Sequence, residues 1–225
     1  MAVEVLPVGG EGLLLEVSDL DTVLALDEAL RGAVVGGTGP WRDVTDVVPA
    51  ARTVLLLTHE GADLLALRAA VLRLADAVTV ERGPARGSVP ATASASHEVG
   101  VPVRYDGPDL DDVARLTGLS RTEVVEAHTA TPWRVAFGGF APGFAYLVGG
   151  DARLRVPRRE RPRAAVPAGA VALAGEFSGV YPRSSPGGWQ LVGTTDAVLW
   201  DVDRDPPALL RPGTTVRFVV VGEPR

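Results

Sequence analysis

Short apolar runs at residues 3–6 and 13–17, separated by the turn-forming residues 7–12, predict two β-strands at the start of the chain. Ser18-Asp19 then offers a helix cap, followed by Leu20, Val23, Leu24 and Leu30 at helical spacing. A Gly- and Pro-containing loop at 36–40 leads to two further strands, 44–48 and 52–58, split by Pro49. Leu64, Leu65, Leu67, Val71, Leu72 and Leu74 make residues 62–77 a second amphipathic helix, and residues 78–80 add a last strand. Strand–strand–helix–strand–strand–helix–strand is an α+β sandwich with two helices on one sheet, and a ferredoxin-like topology is its nearest common form.

The character changes at residues 83–96, where Pro, Gly, Ala, Ser and Thr dominate, so this segment reads as a linker. The expected domains are therefore residues 1–82 and 97–225. A strand at 98–105 is broken by Asp106-Gly107-Pro108, and a short helix at 109–117 is stopped by Gly118. Ser120-Arg121-Thr122-Glu123 is a capping box that starts a helix running through Thr129, with Val124, Val125 and His128 on one side. Beyond Pro132 the pattern is strands and turns, ending in an apolar run at 216–221 that should close a β-barrel.

Between residues 137 and 195 glycine recurs beside aromatic residues. Phe137, Phe140, Pro142, Phe144, Tyr146, Tyr181 and Trp189 read as core, as the wall of a pocket, or as a patch for another protein chain. Gly175, Gly179, Gly187 and Gly188 serve either tight turns or the close approach of a ligand to the backbone. Six arginines crowd into positions 153–163, among them Arg158 and Arg163; they form a solvated loop, an anion site or a docking surface. Ser178 reads as a turn serine, since no Gly-x-Ser-x-Gly elbow surrounds it. Glu176, beside Phe177, is a candidate acid or base, as is His128, whose ordinary pKa lies nearest neutrality.

Composition removes several chemistries. The chain has no cysteine, and all 22 of its basic residues are arginine. Thiolate metal sites, a cysteine nucleophile, a Schiff-base lysine and a Walker-type phosphate lysine are all absent. No His-x-x-x-His or Glu-x-x-His pair occurs, so no metal is expected. The net charge of −6 argues against nucleic acid as a partner. With no signal-peptide pattern and no membrane-length apolar run, a cytoplasmic location without membrane association is expected.

Phe137-Gly138-Gly139-Phe140-Ala141-Pro142-Gly143-Phe144-Ala145-Tyr146-Leu147 resembles the Phe-Leu-Gly-Phe-x-Pro-Gly-Phe-x-Tyr-Leu block of the KipI-like family, also called allophanate hydrolase subunit 1. Val166-Pro167-Ala168-Gly169-Ala170-Val171, Gly179-Val180-Tyr181-Pro182 and the run from Ser185 to Thr194 resemble its second half. Asp46-Val47-Val48-Pro49-Ala50 with Arg52 resembles the family's N-domain motif Asp-Val-Val-Pro-Ala-Tyr-Arg, with Ala51 in place of Tyr. Two other departures are Gly138, where Leu is usual, and Glu176-Phe177, where Gly-Gln is frequent before Ser/Thr-Gly.

The resemblance implies a cyclophilin-like β-barrel after the α+β domain. It implies a cytoplasmic, non-autonomous component of a larger enzyme, most like the B subunit of a 5-oxoprolinase. That enzyme opens the lactam of 5-oxo-L-proline to L-glutamate with ATP hydrolysis. The partners so implied are a KipA-like C subunit and a LamB/YcsF-like A subunit, with ATP a co-substrate of the assembly and not bound by this chain alone. On this basis His128 and Glu176 are expected to be catalytic. Arg158, Arg163, Gly175, Ser178, Gly179, Gly187 and Gly188 are expected to hold substrate or an anion. Alternative roles within the family are a KipI-type inhibitor of a sporulation histidine kinase, and a carboxyltransferase component of the urea-carboxylase type.

Overall fold

In a computed structural model, which describes residues 3–82 and 98–222, the first element is a hairpin of two strands, β1 (Glu4–Pro7) and β2 (Gly12–Glu16). Helix α1 (Leu20–Gly36) begins where the Asp19 carboxylate accepts the Thr22 N–H at 2.9 Å. It ends where Gly37 turns into the left-handed region. Strands β3 (Val44–Pro49) and β4 (Thr53–Thr58) follow, then helix α2 (Leu64–Arg82). The sheet is antiparallel in the order β1-β2-β4-β3. Its inward residues, such as Leu13, Leu15, Val47, Val54 and Leu56, pack with Val23, Leu26 and Leu30 of α1 and Leu67 and Val71 of α2.

The anticipated strand at 78–80 lies within α2, so the chain order is ββαββα. The edge position beside β2 is filled from the N-terminal side, by β1. This differs from the ferredoxin-like order, in which the last strand follows the second helix.

By their internal contacts, Met1–Ala91 and Thr92–Arg225 form two compact units. The expected linker, 83–96, and His97 lie outside the described residues. The second unit opens with β5 (Glu98–Val103) and two helices, α3 (Leu110–Thr117) and α4 (Arg121–Ala130). Both halves of the Ser120–Glu123 capping box are formed. There follow β6 (Trp133–Gly138), β7 (Ala145–Val148), β8 (Arg163–Val166), β9 (Ala170–Ala174), β10 (Phe177–Val180), β11 (Ser185–Gly187), β12 (Gln190–Thr194) and β13 (Thr215–Val220).

Seven of these strands form one sheet in the order β12-β9-β10-β7-β6-β13-β5, while β8 and β11 pair as a separate ribbon. The apolar strand β13 does not close the barrel, as its sequence suggested; it lies between β6 and β5. The two edges of the sheet meet instead at Arg104 and Thr194, which exchange two backbone hydrogen bonds of 2.8 Å and bring the barrel nearly to closure. Glycine is required at this seam. A Cβ on Gly193 would stand 2.4 Å from the Arg104 carbonyl oxygen, and one on Gly107 2.3 Å from the Val192 carbonyl carbon.

Strand alternation then gives the barrel two cores. Val171 and Leu173 of β9 point inward with Val101, Val135, Leu147, Val192 and Phe218, where Val113 of α3 and Val124 of α4 join them. Ala170, Ala172 and Ala174 point outward, and these small residues leave room for Phe144, Tyr181 and Trp189 under Val166 of the β8–β11 ribbon.

Candidate functional site

The aromatic residues singled out in the sequence converge on the outer face of the barrel. Phe137 and Tyr146 stack with centroids 4.5 Å apart, and Phe177 meets both edge-on. Phe144 is the hub of the rest, in edge contact with Phe140, Tyr181 and Trp189 at 5.3–5.4 Å. Two of the glycines exist for this packing. A Cβ on Gly179 would press on Phe144 and Trp189 at 3.1 Å, and one on Gly187 would lie 2.4 Å from the Tyr181 hydroxyl.

Phe140 departs from the rest of the cluster. The residue is 59% exposed and its backbone takes φ +66°, an unfavourable conformation for a bulky L-residue. Pro142 beside it is exposed too, and Gly143, at φ +82°, turns the chain against Trp200. The stretch 140–142 therefore displays apolar surface that the fold itself does not bury.

The arginine cluster resolves into distinct roles. Arg153 pairs with Asp151 and Arg155 with Glu176, each at 2.6 Å on the surface. Arg163 grips Asp109 with both arms, at 2.7 and 2.8 Å, and Arg159 adds a bond of 2.5 Å. The Asp109 side chain is 2% exposed, and the Leu191 N–H also donates to it. Burial alone would raise the Asp109 pKa. The Arg163 hydrogen bonds, the Leu191 N–H and the two guanidinium charges outweigh this and hold it below the usual carboxylate range. Arg158 has no acidic partner among the described residues; its guanidinium sits 6.0 Å from the Trp189 ring centroid, a cation–π arrangement.

Several expected site residues are placed elsewhere. His128 is fully buried, stacked on Phe218 with centroids 4.3 Å apart. Its Nδ1 lies 2.8 Å from the Tyr105 hydroxyl and its Nε2 2.9 Å from the Ser178 hydroxyl. Burial pushes its pKa down to about 3, so the ring is neutral, and it pushes the Tyr105 phenol up. With both nitrogens engaged inside the barrel, His128 and Ser178 present nothing to the outer face, and neither fits the catalytic or ligand-binding role expected of it. Arg163 is likewise occupied by Asp109 and is not free to clamp a substrate.

The glycine backbone groups are also largely committed. The Gly175 N–H donates to the Val156 carbonyl at 2.7 Å, Gly179 pairs with Ala172 in the β9–β10 ladder, Gly187 pairs with Arg163, and the Gly188 carbonyl accepts the Arg159 N–H. Glu176 is exposed and ion-paired with Arg155, not enclosed by Phe177. Of the residues singled out in the sequence, Phe140, Pro142, Arg158, Gly175 and Glu176, the last paired with Arg155, are exposed, and Tyr146, Phe177, Gly187 and Gly188 are partly exposed. The sequence reading missed Asp109 and Tyr105, whose partners lie 50 and 54 residues and 23 residues away along the chain.

Among the described residues no cluster of His, Cys, Asp and Glu could hold a metal ion, and no helix is long and apolar enough to cross a membrane.

Residues 3–210 match the family described as carboxyltransferase domain, subdomain C and D. Over 127 residues the chain is 50% identical to the 5-oxoprolinase B subunit of Escherichia coli O157:H7, covering 55% of this chain and 58% of that one. It is 47% identical over 128 residues to the 5-oxoprolinase B subunit of Bacillus subtilis, covering 56% and 53%. The matches thus span a little over half the length of these curated relatives. Among solved structures, a conserved uncharacterized protein of Pyrococcus horikoshii is 30% identical, with a TM-score of 0.54 and 98% of both chains covered. The urea carboxylase of Kluyveromyces lactis shares the fold, with a TM-score of 0.70 over 98% of this chain and 22% of that one at 18% identity. By the family match across nearly its whole length and by the motifs it shares with the KipI-like proteins, the chain belongs to the carboxyltransferase-domain family of subdomains C and D.

Proposed function

We propose that this chain is the B subunit of a multi-component, ATP-dependent 5-oxoprolinase, acting with a KipA-like C subunit and a LamB/YcsF-like A subunit in the cytoplasm. The observation that carries this reading is the identity of 47–50% to two proteins named as 5-oxoprolinase B subunits. On this reading the second unit is a cyclophilin-like barrel whose outer aromatic face serves the reaction.

The chemistry sets what the assembly must supply. The lactam carbonyl is a poor electrophile, so its oxygen is activated by phosphoryl transfer from ATP. ADP leaves in that transfer. Water then adds to the carbonyl carbon and the ring C–N bond breaks, leaving the amine of glutamate and an acyl phosphate, which a second water hydrolyses to the side-chain carboxylate and inorganic phosphate. Such a site needs charge complementarity to the substrate carboxylate and exclusion of water. Arg158, held over Trp189, is a cation without an acidic partner among the described residues, and Phe140, whose ring meets Phe144 and Tyr181 of the same aromatic cluster, offers exposed apolar surface together with Pro142. In this proposal Arg158 holds the carboxylate and the aromatic face excludes water from the ring, while ATP binds chiefly to the partner chains.

The test is 5-oxoproline-dependent ATP hydrolysis with glutamate release, measured for this chain, for the partner chains and for the reconstituted set. Activity is expected only in the full set. No activity in a demonstrably assembled set would overturn the assignment. A second reading, a carboxyltransferase component of the urea-carboxylase type, draws on the 31% identity to the urea amidolyase of Saccharomyces cerevisiae over 51% of this chain. It predicts carboxyl transfer from a biotin-carrying partner instead.

A further inference from the structure

The N-terminal unit has a sheet face that its own helices leave open. α1 and α2 both pack on the side of Leu13, Leu15, Val54 and Leu56. On the other side the strand register aligns Leu6, Leu14, Leu55 and Val48 in one row across all four strands. Leu57, one pleat further along β4, is 37% exposed and Val48 39%. An apolar row spanning a sheet, open on one side, is the kind of surface that partners cover.

The Asp46-Val47-Val48-Pro49 motif divides across these two faces. Val47 and Pro49 are buried, as packing requires, whereas Asp46 and Val48 point away from the core. The Asp46 carboxylate also accepts the Val47 N–H at 2.8 Å beside a bulge in β3, so what the unit's own contacts leave unexplained is the exposed Val48.

The charged residues within the four strands, Glu4, Glu16 and Asp46, are all acidic and all point away from the helices. Glu4 and Glu16 stand directly opposite each other on β1 and β2, an arrangement that costs stability, and neither has a basic partner among the described residues. Glu4 and Glu16 lie one pleat to one side of the apolar row, and Asp46, opposite Leu57, lies one pleat to the other side. A second copy of this chain would bring the same acids to the contact. Acidic groups on both sides of an apolar row call for basic groups along both sides of whatever apolar stripe covers it.

We propose that this face docks a helix of a partner protein, apolar along one stripe and flanked by Lys or Arg. This rests on the multi-component reading above, which makes that partner another member of the same assembly. The row crosses three inter-strand gaps, about 14 Å, which a helix of about 10 residues spans.

The experiment measures binding of the purified full-length chain to the co-purified partner chains by calorimetry, at low and high salt. Wild type is compared with Val48→Glu, with Leu57→Glu and with the double reversal Glu4→Arg, Glu16→Arg, each first checked for an unchanged circular dichroism spectrum. We expect each variant to weaken binding ten-fold or more, and wild-type binding to weaken with salt. Wild type that binds no partner overturns the multi-component reading and the proposal with it. Wild type that binds while all three variants bind equally well overturns the docking face alone. Sedimentation of the chain by itself supplies a further outcome: a dimer dispersed by Val48→Glu would assign the face to a second copy and overturn the proposal.

Discussion

Acidification should loosen the barrel through His128 at a pH where its carboxylates are still ionised. The imidazole is neutral in the folded barrel, with its pKa pushed down by burial to about 3, against an ordinary value of 6.5. In the unfolded chain it takes up a proton near pH 6.5; in the folded chain it does not. The stability tied to the neutral ring is therefore complete above pH 6.5 and is lost as the pH falls towards 3. Integrating the linkage relation from pH 8 to pH 5 gives a loss of about 2 kcal/mol, which for a unit of this size lowers the melting midpoint by roughly 6–10 °C. Asp109, Glu123, Asp151 and Asp196 all have lowered pKa values and lose their contributions at more acid pH. The window from 6.5 to 5 thus isolates histidine.

The assay is urea unfolding of the whole chain at half-unit steps of pH, compared with His128→Gln. The variant should be less stable at pH 8, by about 1–3 kcal/mol, because the Tyr105 and Ser178 hydroxyls lose a fitted partner. It should then change little down to pH 5. The comparison leaves only what depends on residue 128. Parallel profiles for the two proteins, or a wild-type profile that is flat between pH 6.5 and 5, would refute the buried-histidine argument.

Asp109→Asn should destabilise the barrel by about 3 kcal/mol, since it leaves Arg159 and Arg163 facing a group that no longer balances them; denaturant titration measures it. Gly193→Ala should open the seam at Arg104 and Thr194, costing about 2 kcal/mol or more, and hydrogen exchange at those two amides should accelerate. Phe140→Gly should leave stability unchanged or raise it by about 1 kcal/mol, because glycine accepts φ +66° without strain, yet should lower turnover in the reconstituted complex. Arg158→Gln should alter stability by less than about 0.5 kcal/mol and raise the KM for 5-oxoproline with little change in kcat.

The helices and strands were legible wherever a local rule governs them. The Asp19 cap, the Gly118 stop and the Ser120–Glu123 box all act within four residues, and each marks an element end in the structure. The seam was not legible, because it depends on glycines at 107 and 193 meeting strands that are distant in sequence. Residues 78–80 show the weakness of a short apolar run as a signal: Val78-Thr79-Val80 suits a strand, yet the preceding helix continues through it. The candidate site was legible in its aromatic members and illegible in its charges. Six arginines in eleven positions look alike in sequence. Only the fold shows that Asp109 takes two of them and that Arg158 is left over an indole ring.

The same reasoning explains why chemistry-bearing residue types gave poor guidance to function along β10. Phe177 and Ser178 are adjacent, and a strand sends neighbours to opposite faces. Phe177 therefore joins the outer aromatic face, while Ser178 enters the barrel and meets His128. A serine, a histidine and a tyrosine linked by hydrogen bonds of 2.8 and 2.9 Å have the geometry of an activated nucleophile, but all three are buried. The chain instead ties α4 and the end of β5 to β10, fixing the strand whose other face carries Phe177. Glu176, one residue earlier, is set on the surface against Arg155. The interior polar chain thus bears on the outer site by holding β10 in place. A variant at His128 that still folds should accordingly affect the site through the position of Phe177 and Glu176, with no proton transfer of its own to lose.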